Sequence, residues 1–248
     1  KGYNIANAKA QELLNDISIE VDDGLLLSVA KTAMTGKSAE SSGDSLAQIA
    51  LDVAKSTTID NISIVKRANG KVSESLAIAG LLIDREKMTH DMPEEVKNAK
   101  IALINVDISL PEFAQQLQIL VANNDAVQEF IESRKGQLQE IAETVLASGA
   151  NIVLCKRDID PFVAEIFAEK GIYAARRVAM SDMEAVAKSG EGRIVSSIDG
   201  IKASDLATAE LLEEISVGEK PLIKLTGTPK EGSVSVLLRA PTNTTVEE

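Results

Sequence analysis

The middle of the chain sets the tightest limit on its fold. KIALINV (100–106), NIVL (151–154), IYAARRV (172–178) and the run within GRIVSSIDG (192–200) are short, apolar and rich in Ile, Val and Leu, so they read as strands. Between them lie stretches of helical periodicity. In the second half of 107–149, Val127, Phe130, Ile131, Leu138, Ile141 and Val145 recur at three, four or seven, and Gly149 stops the run. DPFVAEIFAEKG (160–171) and SDMEAVAKSG (181–190) are two further helices, the latter with a Ser181–Glu184 capping pair. Strands alternating with helices in this way define an α/β region.

The flanks differ from this centre. Residues 2–15 place Ile5, Ala8, Leu13 and Leu14 at roughly helical spacing. GLLLSVAKTAMT (24–35) is a helix capped by Asp22 or Asp23 and ended by Gly36. DSLAQIALDVAKS (44–56) is a third helix, expected to bury Leu46, Ile49, Ala50 and Val53. NISIVKR (61–67) alternates like a strand before an ANGK turn, and AGLLID (79–84) reads as one buried strand. After residue 207, TAELLEEISVG, KPLIKLTG and GSVSVLLRA suggest an antiparallel meander with Gly turns. The fold class is therefore α/β in the mixed α+β sense. Aromatic residues are 2% with no Trp, so the core must be built from aliphatic side chains, and all four Phe fall between Phe113 and Phe167.

Charge and composition remove several functions. Net charge is −12, which opposes binding to nucleic acid, whose phosphates require a basic face. No apolar run approaches the ~20 residues of a membrane span, and no signal peptide is visible, so a cytoplasmic protein is expected. Cys155 is the single cysteine, which excludes an intrachain disulfide.

Chemistry-bearing motifs are few. KTAMTGKS (31–38) departs by one residue from a phosphate-binding loop, with Lys31 where the first Gly belongs. Such a loop needs a strand before it, whereas this segment follows a helix. It reads as a helix C-terminus with basic residues at the negative end of the dipole. His90, the only histidine, sits in a polar loop and reads as solvated. Asp22–Asp23, Glu94–Glu95 and Glu213–Glu214 read as solvated faces, and Arg176–Arg177 as salt-bridge partners. No catalytic, cofactor-binding or metal-ligating residue is assigned. Residues 107–126 hold Ile108, Leu110, Phe113, Leu117, Ile119, Leu120 and Val121, interrupted by Pro111 and by Asn123-Asn124-Asp125. That apolar surface either packs onto the body or meets other proteins.

Several segments, in order along nearly the whole chain, resemble group II chaperonins, the archaeal thermosome and its eukaryotic cytosolic relatives. They are GYNIANAKAQELL (2–14), TAMTGK (32–37), VKNAKIALINVDI (96–108), SGANIVLCKRDID (148–160), GIYAARRVAMSDMEAVAKSGEGRIVSSID (171–199) and GSVSVLLRAPT (232–242). Each alone is a weak signal; the ordered set is specific. The resemblance implies an intermediate domain from 1–69 and 223–248 and an apical domain at 70–222. It makes residues 107–126 the helical protrusion of a built-in lid. Unfolded substrate would meet that protrusion, the loop near Asp107, and Phe162, Glu165, Ile166 and Glu169 on the 160–171 helix. The family's ATPase motifs do not occur here, so ATP and Mg are expected only in a full-length subunit, and this chain is not expected to be an enzyme. Implied partners are unfolded proteins and, for a full-length subunit, other subunits of a double ring. No nucleic acid or membrane partner is implied, and the isolated chain should be monomeric or weakly associated. The alternative is a stand-alone chaperonin-like binding module without ATPase activity. Three residues depart from the family pattern: Ala240-Pro241 replaces Gly-Gly, Arg157 replaces Gly, and Pro161 enters the first helical turn.

Overall fold

Two sheets organise the chain. The computed structural model describes residues 2–37, 43–110, 124–218, 220–230 and 232–247. Three helices come first: α1 (Gly2–Ile17), α2 (Asp23–Met34) and α3 (Gly43–Ser56). Asp22 caps α2, its Oδ1 accepting from the Leu25 N–H at 2.7 Å. Thr35 closes that helix, and Gly36 follows in the left-handed region at φ +78°. Antiparallel α2 and α3 are tied at both ends by Lys31–Asp44 (2.8 Å) and Lys55–Asp23 (2.7 Å). The residues that α3 buries are Ala47, Leu51 and Val53. Leu46 and Ile49 are half-buried and Ala50 exposed, and all three line an apolar groove between α3 and its sheet.

The small sheet has the order β1 (Ile62–Arg67), β10 (Val234–Arg239), β2 (Leu76–Ala79), with β1 parallel and β2 antiparallel to β10. The large sheet runs β3 (Leu81–Ile83), β9 (Lys220–Thr226), β8 (Ala207–Val217), β4 (Glu95–Ile104), β5 (Ile152–Cys155), β6 (Tyr173–Ala175), and β7 (Ile194–Val195) also pairs with β4. The alternating centre forms as expected. β4, β5, β6 and β7 are joined by α4 (Asn124–Ala147), α5 (Pro161–Glu169) and α6 (Met180–Ser189). β5 is parallel to both β4 and β6, and β7 is parallel to β4.

Both faces of the parallel strands are covered, which explains their unbroken apolar sequence. Ile101, Leu103, Ile152, Leu154, Tyr173 and Ala175 share one core with Met183 and Val186 of α6. Their neighbours Ala102, Ile104, Val153, Cys155 and Ala174 share the other with α4 and α5. Along β4, Val96 and Ala99 both face the first core; Asn98, at φ +49°, resets the two-residue alternation between them.

Three sequence expectations are corrected. AGLLID is two strands, because the chain changes sheets at Gly80. Its φ is +118°, and a Cβ there would lie 2.2 Å from the Leu225 carbonyl oxygen. The last strand leaves the meander: β8 and β9 form a hairpin, but β10 lies beside β1. Buried Ser235 holds it at the crossover, donating to the Gly80 carbonyl and accepting from the Leu82 N–H, both at 2.9 Å. Helix α6 starts at Met180 with Ala179 at its cap, so Ser181 lies inside the first turn and caps nothing.

The sheets meet at a third core cluster, with Val65 and Leu237 from the small sheet and Leu82 and Leu222 from the large one. Polar contacts extend this seam. Arg67 of β1 donates to the carbonyls of Val217 (3.0 Å), Pro221 (2.8 Å) and Lys220, and pairs with Asp84. Arg239 of β10, 5% exposed, reaches the same Val217 carbonyl at 3.4 Å, the Asn69 carbonyl at 3.2 Å and Glu74 at 3.4 Å.

Candidate protein-contact face and its charged surroundings

The contact face begins with how α5 is anchored. Asp160 caps it, accepting from the Phe162 N–H at 2.9 Å, and Pro161 takes the first helical position, where no N–H is needed. Val163, Ala164 and Phe167 are buried against the sheet. The opposite face alternates half-buried Phe162 and Ile166 with exposed Glu165 and Glu169. Helix α4 packs alongside. Its C-terminal half buries Leu138, Ala142 and Val145, whereas Phe130 is half-buried and Ile131 40% exposed. Arg134 of α4 reaches Asp160 at 3.8 Å, and the Lys135 ammonium lies 5.9 Å from the centre of the Phe162 ring.

The strand preceding this face is fixed from below. Ile108 bridges in parallel to Ile159: its N–H donates to the Asp158 carbonyl, and its carbonyl accepts from Asp160. Ile108 and Leu110, expected to open an apolar patch, are instead core residues at 0% and 7% exposure, in the cluster with Leu138 and Ala142. Pairing with the 158–160 segment draws them under α4. Phe113, Leu117, Ile119, Leu120 and Val121 lie outside the described residues.

Charges cluster where β4, β5 and β6 end. Asp107 pairs with Arg157 at 3.5 Å and accepts from the Asp158 N–H at 3.2 Å. Asp158 takes Arg176 and Arg177, each at 2.8 Å, so both arginines are the ion-pair partners expected of them. Hydrogen bonds from Arg176 and then Arg177 hold the Asp158 carboxyl down at about 2. Buried Cys155 donates to the Val106 carbonyl at 3.2 Å, and desolvation pushes its thiol up to about 12, which makes it unreactive. His90 is exposed. Of the acidic pairs, Asp22–Asp23 and Glu94–Glu95 are exposed as expected, whereas Glu213–Glu214 is less solvated. Glu214 has a side chain only 6% exposed, accepts from the Lys87 N–H at 3.1 Å and faces the Lys87 ammonium at 3.8 Å. Glu94 meets that ammonium at 3.0 Å, and Glu213 pairs with Lys224.

The Arg67 and Arg239 contacts were missed in the sequence, although a signal was present. Ser235 and Leu237 face inward on β10, so the two-residue period carries Arg239 inward as well. Among the described residues no group of three His, Cys, Asp or Glu could hold a metal ion. Nor, among those residues, is any helix long and apolar enough to cross a membrane.

Comparison with known proteins places this geometry. The model of the TCP-1/cpn60 chaperonin family matches residues 1–248. The chain belongs to that family. It is 35% identical to a thermosome subunit beta of Thermoplasma acidophilum and 36% identical to a thermosome subunit of Pyrococcus horikoshii, in each case over 100% of this chain and 48% of the relative. It is also similar to the open-state monomer of a group II chaperonin from Methanococcoides burtonii, with a TM-score of 0.77 and 33% identity, covering 99% of this chain and 58% of that one. The mixed α/β architecture is thus that of a group II chaperonin, and the chain spans about half the length of the curated relatives it matches.

Proposed function

We propose that this chain is the protein-contacting and motion-relaying part of a protein-folding chaperonin. The observation that carries the reading is the outer face of α5, where half-buried Phe162 and Ile166 lie among exposed Glu165 and Glu169. A rigid strip of this kind suits unfolded chains of many sequences: its apolar groups supply non-specific attraction, and its carboxylates keep it soluble. Ile108 and Leu110 take no part in it. In this reading the large sheet and its helices are the apical unit, and the lid protrusion expected over 107–126 leaves out its first apolar residues, the buried Ile108 and Leu110. The small sheet, with α1, α2, α3 and the short helix α7 (Asn243–Glu247), is the intermediate unit. The boundaries expected at 69/70 and 222/223 are drawn instead at Gly80 and in the β9–β10 connection, where the chain passes from one sheet to the other. ATP turnover, Mg and ring assembly belong to a full-length subunit.

The test is suppression of aggregation of a chemically denatured protein by this chain. The expected result is dose-dependent suppression that is at least halved in Phe162→Ser/Ile166→Ser, whose melting temperature stays near that of the parent. No suppression by the parent chain, or full suppression by the variant, would sink the reading.

A further inference from the structure

The sequence holds one Asn-Gly pair, Asn69-Gly70, in the turn that follows β1. The fold calls for both residues. Asn69 sits in the left-handed region at φ +58°, which Asn, Asp and Gly tolerate and most other residues avoid. Gly70 faces the guanidinium of Arg239. A Cβ there would lie 2.3 Å from it, so no larger residue fits. Asn69 itself is exposed.

The two residues that make this turn also make it chemically reactive. With no Cβ on residue 70 in the way, the Gly70 nitrogen can attack Cγ of the Asn69 amide. A C–N bond forms and the Cγ–Nδ2 bond breaks. Ammonia leaves, carrying the proton that Gly70 gives up, and a five-membered imide remains. Water then opens either carbonyl of that ring, leaving an aspartate or an isoaspartate at position 69. Nothing is oxidised or reduced. The native turn restrains the attack. The Gly70 N–H donates to the Ala240 carbonyl at 3.1 Å, and the Asn69 carbonyl accepts from Arg239 at 3.2 Å. Both contacts must release before the nitrogen can lose its proton and turn towards the side chain. Arg239 ends β10 and also reaches the Val217 carbonyl of β8, across the seam between the sheets, at 3.4 Å.

We propose that Asn69 is a site of spontaneous deamidation, that its rate follows the opening of this turn, and that its isoaspartyl product weakens the seam. An aspartate leaves the main chain as it was. An isoaspartate routes the main chain through the former side-chain carbon and so lengthens it by one methylene. That shift displaces the carbonyl that holds Arg239 and the N–H that holds Ala240. Arg239 then loses an anchor on its own sheet while it spans to the other. The proposal does not depend on the protein-contact role of α5.

The experiment is incubation of the chain at mildly alkaline pH, where the Gly70 nitrogen gives up its proton more readily. Products are read by peptide mapping with mass spectrometry and by methylation in vitro with an isoaspartyl methyltransferase. Asn69 should be converted faster than every other Asn of the native chain. It should also be converted roughly tenfold or more slowly than in urea, where the turn is already open. The isoaspartyl form should melt about 2–4 °C below the parent, the effect of losing about one hydrogen bond. Asn69→Gly accommodates the same φ and has no amide to attack, so it should keep its melting temperature through the same incubation. Four results would each overturn the proposal: Asn69 intact when the isolated peptide Arg67–Val72 has been consumed, faster conversion of another Asn, equal rates in the native chain and in urea, or an isoaspartyl form as stable as the parent.

Discussion

At Asp158 one carboxylate accepts from two guanidiniums, those of Arg176 and Arg177, and its own N–H is held by Asp107. Arg177 sits at φ +56°, a conformation unfavourable to a bulky side chain, and its carbonyl accepts from Arg85 at 2.6 Å. The pair of ion contacts helps to hold that backbone. Because the folded Asp158 pKa is depressed from 3.8 to about 2, its stabilisation is complete above pH 3.8 and is lost as pH falls through about 2. Acid unfolding of Asp158→Asn should therefore show a shallower decline of stability between those two values than the parent. The measurement is urea unfolding followed across that pH range. Parallel curves would mean that the two arginines do not depend on the Asp158 charge.

At the level of elements, strands buried on both faces were legible, because a continuous apolar run such as IVLC needs no partner to be recognised. So was α5, with its Asp-Pro start. What could not be read was which sheet a strand joins. One partner of β10 is β1, which lies 172 positions away in the Val234–Ile62 pairing, and no local periodicity encodes that distance. Ile108 and Leu110 show the same limit: apolar composition announces burial or contact without choosing between them. The break at Gly80 also needs a tertiary neighbour, the Leu225 carbonyl. Comparison with Gly149 isolates that effect, since Gly149 is also left-handed at φ +82° but has nothing within 4 Å of a would-be Cβ. Gly149→Ala should cost about 1 kcal/mol from conformation alone. Gly80→Ala adds a backbone clash and should cost on the order of 3 kcal/mol or more. Equal losses in denaturant melts would show that the sheet switch tolerates a side chain.

For the whole molecule, the decisive feature is how little joins the two sheets. Their shared apolar cluster has four buried residues, Val65, Leu82, Leu222 and Leu237, beside the Arg67 and Arg239 contacts. The large sheet, by contrast, has a substantial core on each face. A seam of this kind couples two units while it is intact and lets them part once it is weakened. Leu82 is the sharpest probe, because its neighbours Leu81 and Ile83 point to the other core and remain in place. Leu82→Ala removes a side chain that is 1% exposed and should cost about 2–5 kcal/mol. The loss should fall on the coupling, so that a single calorimetric transition in the parent becomes two, with the large-sheet unit melting near the parent temperature. One undivided transition at a lower temperature would instead mean that the seam is part of a single cooperative core, and that the two sheets cannot move as separate bodies.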